Sequence, residues 1–137
     1  MPNVDAGSDG ISKGIRMFRE HYEIPFIYIF KNMSPENFLK LLTNSKCLIG
    51  NSSAGIRESS LLGIPVVNIG DRQRGRLRGK NVINVDYSTS EIVDAVKKQL
   101  QNGTYPSENV YGDGKAGQRI AELLATEELS IEKRISY

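Results

Sequence analysis

The sequence holds one cysteine, Cys47, and one histidine, His21, in 137 residues. One cysteine excludes an internal disulfide framework, and the pair is too small for a zinc site built from His and Cys. No charge of one sign dominates. Eighteen Lys and Arg face 16 Asp and Glu, a net charge of +2, which argues against a general nucleic-acid binder and against an acidic tail. Long apolar runs are missing too. The longest, Phe26 to Phe30, is far short of the ~20 residues that span a bilayer. No charged, apolar and small-residue signal pattern opens the chain. What is present is ordinary globular composition, 39% hydrophobic and 25% charged, at a length that suits one domain of the usual ~100–200 residues. The expectation is a soluble cytoplasmic domain with no membrane partner.

Strand and helix patterns alternate. Ile11, Ile15, Phe18 and Tyr22 fall on one helical face between about Ser8 and Tyr22. Pro25 then precedes Phe26–Phe30, which reads as a buried strand. Ser34-Pro35 is a helix start, with Phe38, Leu39, Leu41 and Leu42 as the core face of the helix that follows. Lys46–Gly50 is the next strand, Ser52 to Leu62 a helix ended by Gly63, and Val66–Ile69 a strand opened by Pro65. After a loop from Gly70 to Asn81 come the strand Val82–Val85 and a helix through Ile92, Val96 and Leu100. Ser88 to Glu91 supply its capping box and Asn102-Gly103 its stop. A last helix carries Ala116, Ile120, Leu123 and Leu124. Such alternation predicts an α/β domain on a mainly parallel, Rossmann-like sheet. Met1–Asp5 reads as the exit of a strand whose body is missing, so the chain is expected to be part of a longer one.

In open parallel sheets, ligands bind beyond the carboxyl ends of the strands. Three polar loops fall there: Lys31–Ser34, Gly50–Ser53 and Gly70–Arg72. Asn51-Ser52-Ser53-Ala54-Gly55 leaves a strand and opens a helix, where unpaired N–H groups suit an anion. Ser52 and Ser53 either cap that helix, or hold phosphate, or do both. The sequence has no P-loop motif. Glu58 either accepts the hydroxyls of a ribose or is a surface acid beside Arg57. Asp71 to Lys80 carries five cations and one acid. It reads as a diphosphate clamp or a solvated basic loop, with nucleic acid disfavoured because no aromatic residue interleaves it. His21 falls at the far end of its helix and Cys47 inside a strand, so neither suggests catalysis.

These loops resemble a known family. Pro2–Ser8, Asn51–Glu58 and Asn68–Arg76, with Gly79-Lys80-Asn81-Val82 and Tyr111-Gly112-Asp113-Gly114, are similar in order and spacing to the hydrolysing UDP-N-acetylglucosamine 2-epimerases. The non-hydrolysing branch resembles the chain less, since its loop reads Ser-Gly-Gly where this one reads Ser-Ser-Ala-Gly. The resemblance implies a GT-B-like enzyme of two Rossmann-like domains, with residues 1–137 as one truncated UDP-binding half in three layers and the N-terminal domain as its partner. It implies that Asn3 and the backbone at Met33 contact the nucleotide, the latter at uracil. Ser52 and Ser53 would hold the diphosphate, Glu58 the ribose and Arg72 the UDP. It also implies a reaction that eliminates UDP and adds water to the glycal, giving N-acetylmannosamine, with no redox cofactor and no metal.

The family's catalytic carboxylates lie in the first domain, so no catalytic residue is assigned to this chain, which is expected to turn over nothing alone. Asp71 stands where relatives often have Thr, and Asp9 replaces a basic residue of the feedback site in the sialic-acid-regulated branch. An open sheet edge points to homo-oligomers. The sugar stays open between N-acetylglucosamine and a diacetamido-bacillosamine type. A UDP-sugar glycosyltransferase fits less well, because its usual second acid would fall at Val66. A nucleotide- or RNA-binding module without catalysis is the remaining alternative.

Overall fold

The computed structural model describes residues 8–128. It divides between Leu41 and Leu42 into two compact units.

The described part of the first unit begins with α1 (Ser8–His21). Asp9 lies in its first turn and Arg19 in its last, each at the end where the helix dipole favours its charge. The His21 ring pairs through Nδ1 with the Met17 carbonyl at 2.8 Å. Ile15, Phe18 and Tyr22 from the expected apolar face join Ile24, Ile27 and Ile29 around a cavity of about 520 Å³. Phe26–Phe30 does not form the expected buried strand. Ile27 instead bonds back to the Ile24 carbonyl at 3.2 Å in a turn, and Phe26 and Tyr28 are 76% and 77% exposed. A strand is a paired state, and an all-apolar one needs neighbours on both edges and both faces. Among the described residues this unit has no second strand to pair with. The division of the chain falls within α2 (Pro35–Thr43), where Ser34 caps as expected, its Oγ accepting from Asn37 N at 3.3 Å.

The second unit holds β1 (Leu48–Gly50), β2 (Val66–Ile69) and β3 (Val82–Val85), all parallel in the order β1-β2-β3. The expected α/β architecture is present. Ile56, Ile64, Val66 and Val67 form its apolar centre with Ala95 and Leu42. The helix expected over Ser52–Leu62 is broken into a 3-10 turn, Ser53–Gly55, and a short α3 (Glu58–Leu62). Ser52 starts the turn tightly, and Ser59 and Ser60 then bond back to the Gly55 and Arg57 carbonyls at 2.7 and 2.9 Å. These bonds supply partners for carbonyls near the break. Gly63 closes α3 in the left-handed conformation, φ +65°. A Cβ there would also overlap the Tyr105 carbonyl oxygen, so glycine is required twice over.

Among the described residues two further helices follow in this unit, α4 (Thr89–Asn102) and α5 (Ala116–Thr126). Ser88 caps α4 by accepting from Glu91 N at 3.5 Å, while Glu91 reaches back to Asp86 N rather than to Ser88, so the box is only half formed. α4 packs on β2 and β3 through Ala95 and Gln99. Gln99 is fully buried. Its Nε2 donates to the Val66 and Asn81 carbonyls at 2.7 and 2.8 Å, and its Oε1 accepts from Tyr105 Oη at 2.7 Å. Asn81 Nδ2 donates to Ser59 Oγ and the Ile64 carbonyl at 3.1 and 2.7 Å. These bonds lock the amino ends of β2 and β3 and leave the opposite edge to the loops. Among the described residues no helix is long and apolar enough to cross a membrane.

Candidate functional site

Parallel strands all end on one edge, so the loops after β1, β2 and β3 share it by topology. The loop after β1 is Gly50–Ser53. Ser52 Oγ accepts from Ala54 N at 3.3 Å, which leaves the hydroxyl proton to point elsewhere. The Ser53 carbonyl accepts from both Ile56 and Arg57 N–H at 2.9 Å. Gly55 and Ile56 are buried beneath the turn. A Cβ on Gly55 would press on Val66 and Leu48 at 3.0 and 3.3 Å, so the motif's glycine lets the turn sit directly on the sheet. Capping by Ser52 is therefore observed.

Glu58 opens α3 and is half-buried, with its Oε2 buried and lacking a hydrogen-bond partner. Arg57, which the surface-acid alternative set beside it, has its guanidinium 5.9 Å from the Tyr111 ring centroid. Glu58 is thus not the solvated surface acid that its position on a helix allowed.

The loop after β2 is ordered by its own backbone turns and by Arg78. Arg74 N bonds to the Asp71 carbonyl at 2.7 Å and Arg76 N to the Gln73 carbonyl at 3.3 Å. Arg78 is half-buried, donating to the Gln73 carbonyl at 3.3 Å, to the Arg76 carbonyl at 3.4 Å and to Asn84 Oδ1 on β3. It staples the loop to the sheet and is not a solvated cation. Tyr111 Oη donates to the Leu77 carbonyl at 2.6 Å, tying the Tyr111–Gly114 motif to the same loop. Within that motif Asp113 receives both nitrogens of the Arg119 fork at 2.9 and 2.7 Å. This pairing holds the exposed Asp113 carboxyl below its usual range. Arg72 is exposed, just past the end of β2.

Gln73, next to Arg72, is only 3% exposed. Its Nε2 donates to the Asn51 carbonyl, next to Ser52, at 2.7 Å. The loops bearing Ser52, Ser53 and Arg72 are thereby joined. Gln73 lies inside the Asn68–Arg76 motif, but as a neutral side chain in a run of arginines it drew no role from the sequence. Beyond β2 and β3, a polar cleft of about 470 Å³ is lined by Asn68, Asp71, Arg74, Arg78, Asp86 and Glu91, among others. Gly70 borders it with φ +74° beneath the Tyr87 ring. Met33 belongs to the first unit, and its N–H donates to Asn32 Oδ1 at 2.8 Å. Asn3 lies outside the described residues. Cys47 is half-buried, and burial pushes its thiol up, away from thiolate chemistry.

The family model for UDP-N-acetylglucosamine 2-epimerase matches residues 1–125. The chain belongs to this family. A UDP-N,N'-diacetylbacillosamine 2-epimerase (hydrolyzing) of Legionella pneumophila is 37% identical over 125 residues, covering 91% of this chain and 32% of that protein. A UDP-N-acetylglucosamine 2-epimerase of Neisseria meningitidis is 34% identical over 139 residues, 97% of this chain and 36% of that protein. A GDP/UDP-N,N'-diacetylbacillosamine 2-epimerase (hydrolyzing) of Campylobacter jejuni is 47% identical over 66 residues, 48% of this chain and 16% of that protein. The chain spans about a third of the length of the first two of these epimerases. In this 2-epimerase family member, the turn after β1 and the loop after β2 are linked by the Gln73–Asn51 hydrogen bond.

Proposed function

We propose that this chain is the UDP-binding part of a hydrolysing UDP-N-acetylglucosamine 2-epimerase acting in amino-sugar biosynthesis. The observation that carries the reading is Glu58, whose buried oxygen lacks a donor. Buried acceptors are nearly always paired, and the vicinal hydroxyls of a ribose are donors of the right kind. Ser52 and Ser53 take the diphosphate through hydroxyl and turn N–H groups, and Arg72 approaches it from the next loop. Asn3 and the Met33 backbone are assigned to the nucleotide on the resemblance. In the whole enzyme UDP-N-acetylglucosamine and water become N-acetylmannosamine and UDP. The proton leaves C2 to a base outside this chain while the C1–oxygen bond to UDP breaks. The role of this rim is to hold the leaving group and offset the charge that develops on it.

A calorimetric titration of UDP into the 137-residue chain tests this reading. Binding is expected, with no N-acetylmannosamine formed from UDP-N-acetylglucosamine, because the base and the opposing wall of the site are assigned elsewhere. Heat-silent UDP, with strong salt-sensitive RNA binding, would favour the nucleic-acid module instead. The arginines separate by role. Arg72→Ala should weaken UDP binding severalfold, whereas Arg74→Ala and Arg76→Ala should alter mainly its salt dependence. Arg78→Ala should lower the melting temperature, since the Gln73 and Arg76 carbonyls and Asn84 Oδ1 each lose its donation, Asn84 keeping only Asn68. Intact UDP affinity in Arg72→Ala would remove that residue from the clamp.

A second reading changes only the sugar. The Legionella and Campylobacter relatives are named for diacetylbacillosamine, and the UDP rim would serve either substrate. Assay of the whole enzyme with both UDP-sugars decides between them.

A further inference from the structure

We infer that Gln73 is a positioning residue for the diphosphate turn, an assignment that rests on the UDP reading above. Arg72, Arg74, Gly75 and Arg76 around it are exposed, yet Gln73 is buried. Its backbone carbonyl is gripped by Arg78, which also holds Asn84 on β3, while its side chain crosses to the Asn51 carbonyl at 2.7 Å. A chain of bonds thus runs from β3 through Arg78 and Gln73 to the loop after β1.

The direction of the Asn51 carbonyl matters because the peptide unit is planar and trans. With that oxygen turned to Gln73, the Ser52 N–H is held pointing the opposite way. The bond therefore orients one of the donors that the turn presents to a phosphate, before any ligand arrives. Preorganised donors bind better because no ordering cost remains.

The other end of the amide shows that packing did not select it. Gln73 Oε1 is buried and has no partner, an unfavourable arrangement that an apolar side chain of the same shape avoids. Methionine is such a side chain. It keeps the length of Gln73, discards the orphaned oxygen and loses only the donation to Asn51.

Q73M in the full 137-residue chain should fold as well as wild type and bind UDP about tenfold more weakly, the loss of one ordering hydrogen bond. Uridine, which lacks the diphosphate, should bind both proteins equally. Backbone amide exchange at Ser52–Ala54 should be faster in unliganded Q73M. A purely structural role would lower both affinities together. Unchanged UDP affinity in folded Q73M, or equal losses for UDP and uridine, overturns the assignment while leaving the UDP reading intact. A wild-type chain that binds no UDP overturns both. If Q73M does not fold by circular dichroism, Q73A replaces it in the same titrations, and failure of both to fold assigns Gln73 to the fold instead.

Discussion

Glu58→Ala should weaken UDP binding by about 1.5–3 kcal/mol, the usual worth of hydrogen bonds to a charged acceptor. The expected loss is roughly 10- to 150-fold in Kd. The magnitude follows from the state of the carboxylate. Oε2 is already out of water and has no partner in the unliganded chain, so its desolvation is complete before ribose arrives. A ribose hydroxyl that meets this oxygen, once the half-buried side chain turns toward it, then contributes without displacing a competing bond. The same fact predicts the control. At Oε2 the truncation breaks no hydrogen bond in the unliganded protein, so urea unfolding should differ from wild type by only about 0.5 kcal/mol. Pyrophosphate, having no ribose, should bind the variant no worse than wild type. Calorimetric titration with UDP and pyrophosphate reads all of this. If the variant keeps wild-type affinity for UDP, the ribose role of Glu58 is wrong. If it loses pyrophosphate to the same degree, Glu58 acts through the turn instead.

The second large effect concerns stability at the other edge of the sheet. Gln99→Leu should destabilise the chain by about 3–5 kcal/mol. Leucine fills similar space but leaves the Val66 and Asn81 carbonyls without the Gln99 amide, and Tyr105 Oη without its acceptor. Each orphaned buried group costs ~1–3 kcal/mol. The sum is held down because the half-buried Tyr105 can turn to water and Asn81 O retains Val66 N–H. Against a typical total of ~5–15 kcal/mol, the loss is large enough to move the urea midpoint plainly. Gln99→Glu should be no better, since it restores the acceptor for Tyr105 but aims a carboxylate at two carbonyls. A change under ~1 kcal/mol in Gln99→Leu would mean that the network is dispensable. UDP affinity of the remaining folded protein should be untouched, because Gln99 binds the amino ends of β2 and β3 and the loops lie at their carboxyl ends.

Periodicity, capping and strand-helix alternation determined a good deal without coordinates. α1, α2, α4 and α5, the three paired strands and the stops at Gly63 and Gly103 all follow from local rules that act over a few residues. Order along the chain then places the Ser52 turn and Arg72 at one edge, since parallel strands end together. Family membership was legible for the same reason, carried by short motifs in sequence order.

What tertiary structure decided are matters of partnership. Phe26–Phe30 has the composition of a strand, but pairing is non-local and the described residues of its unit include no second strand, and its aromatic side chains stay exposed. The Ser52–Leu62 helix breaks because its first turn is pressed onto β1 and β2 at Gly55, a contact that no helical pattern encodes. Arg78 and Arg72 are the same residue type six positions apart, yet one staples the loop and the other stands exposed. Gln73 is silent in sequence because its role depends on a carbonyl 22 residues away. Hydrogen bonding is satisfied in space. Which acceptors find donors, and which are left open as at Glu58, is settled only when the loops have been brought together.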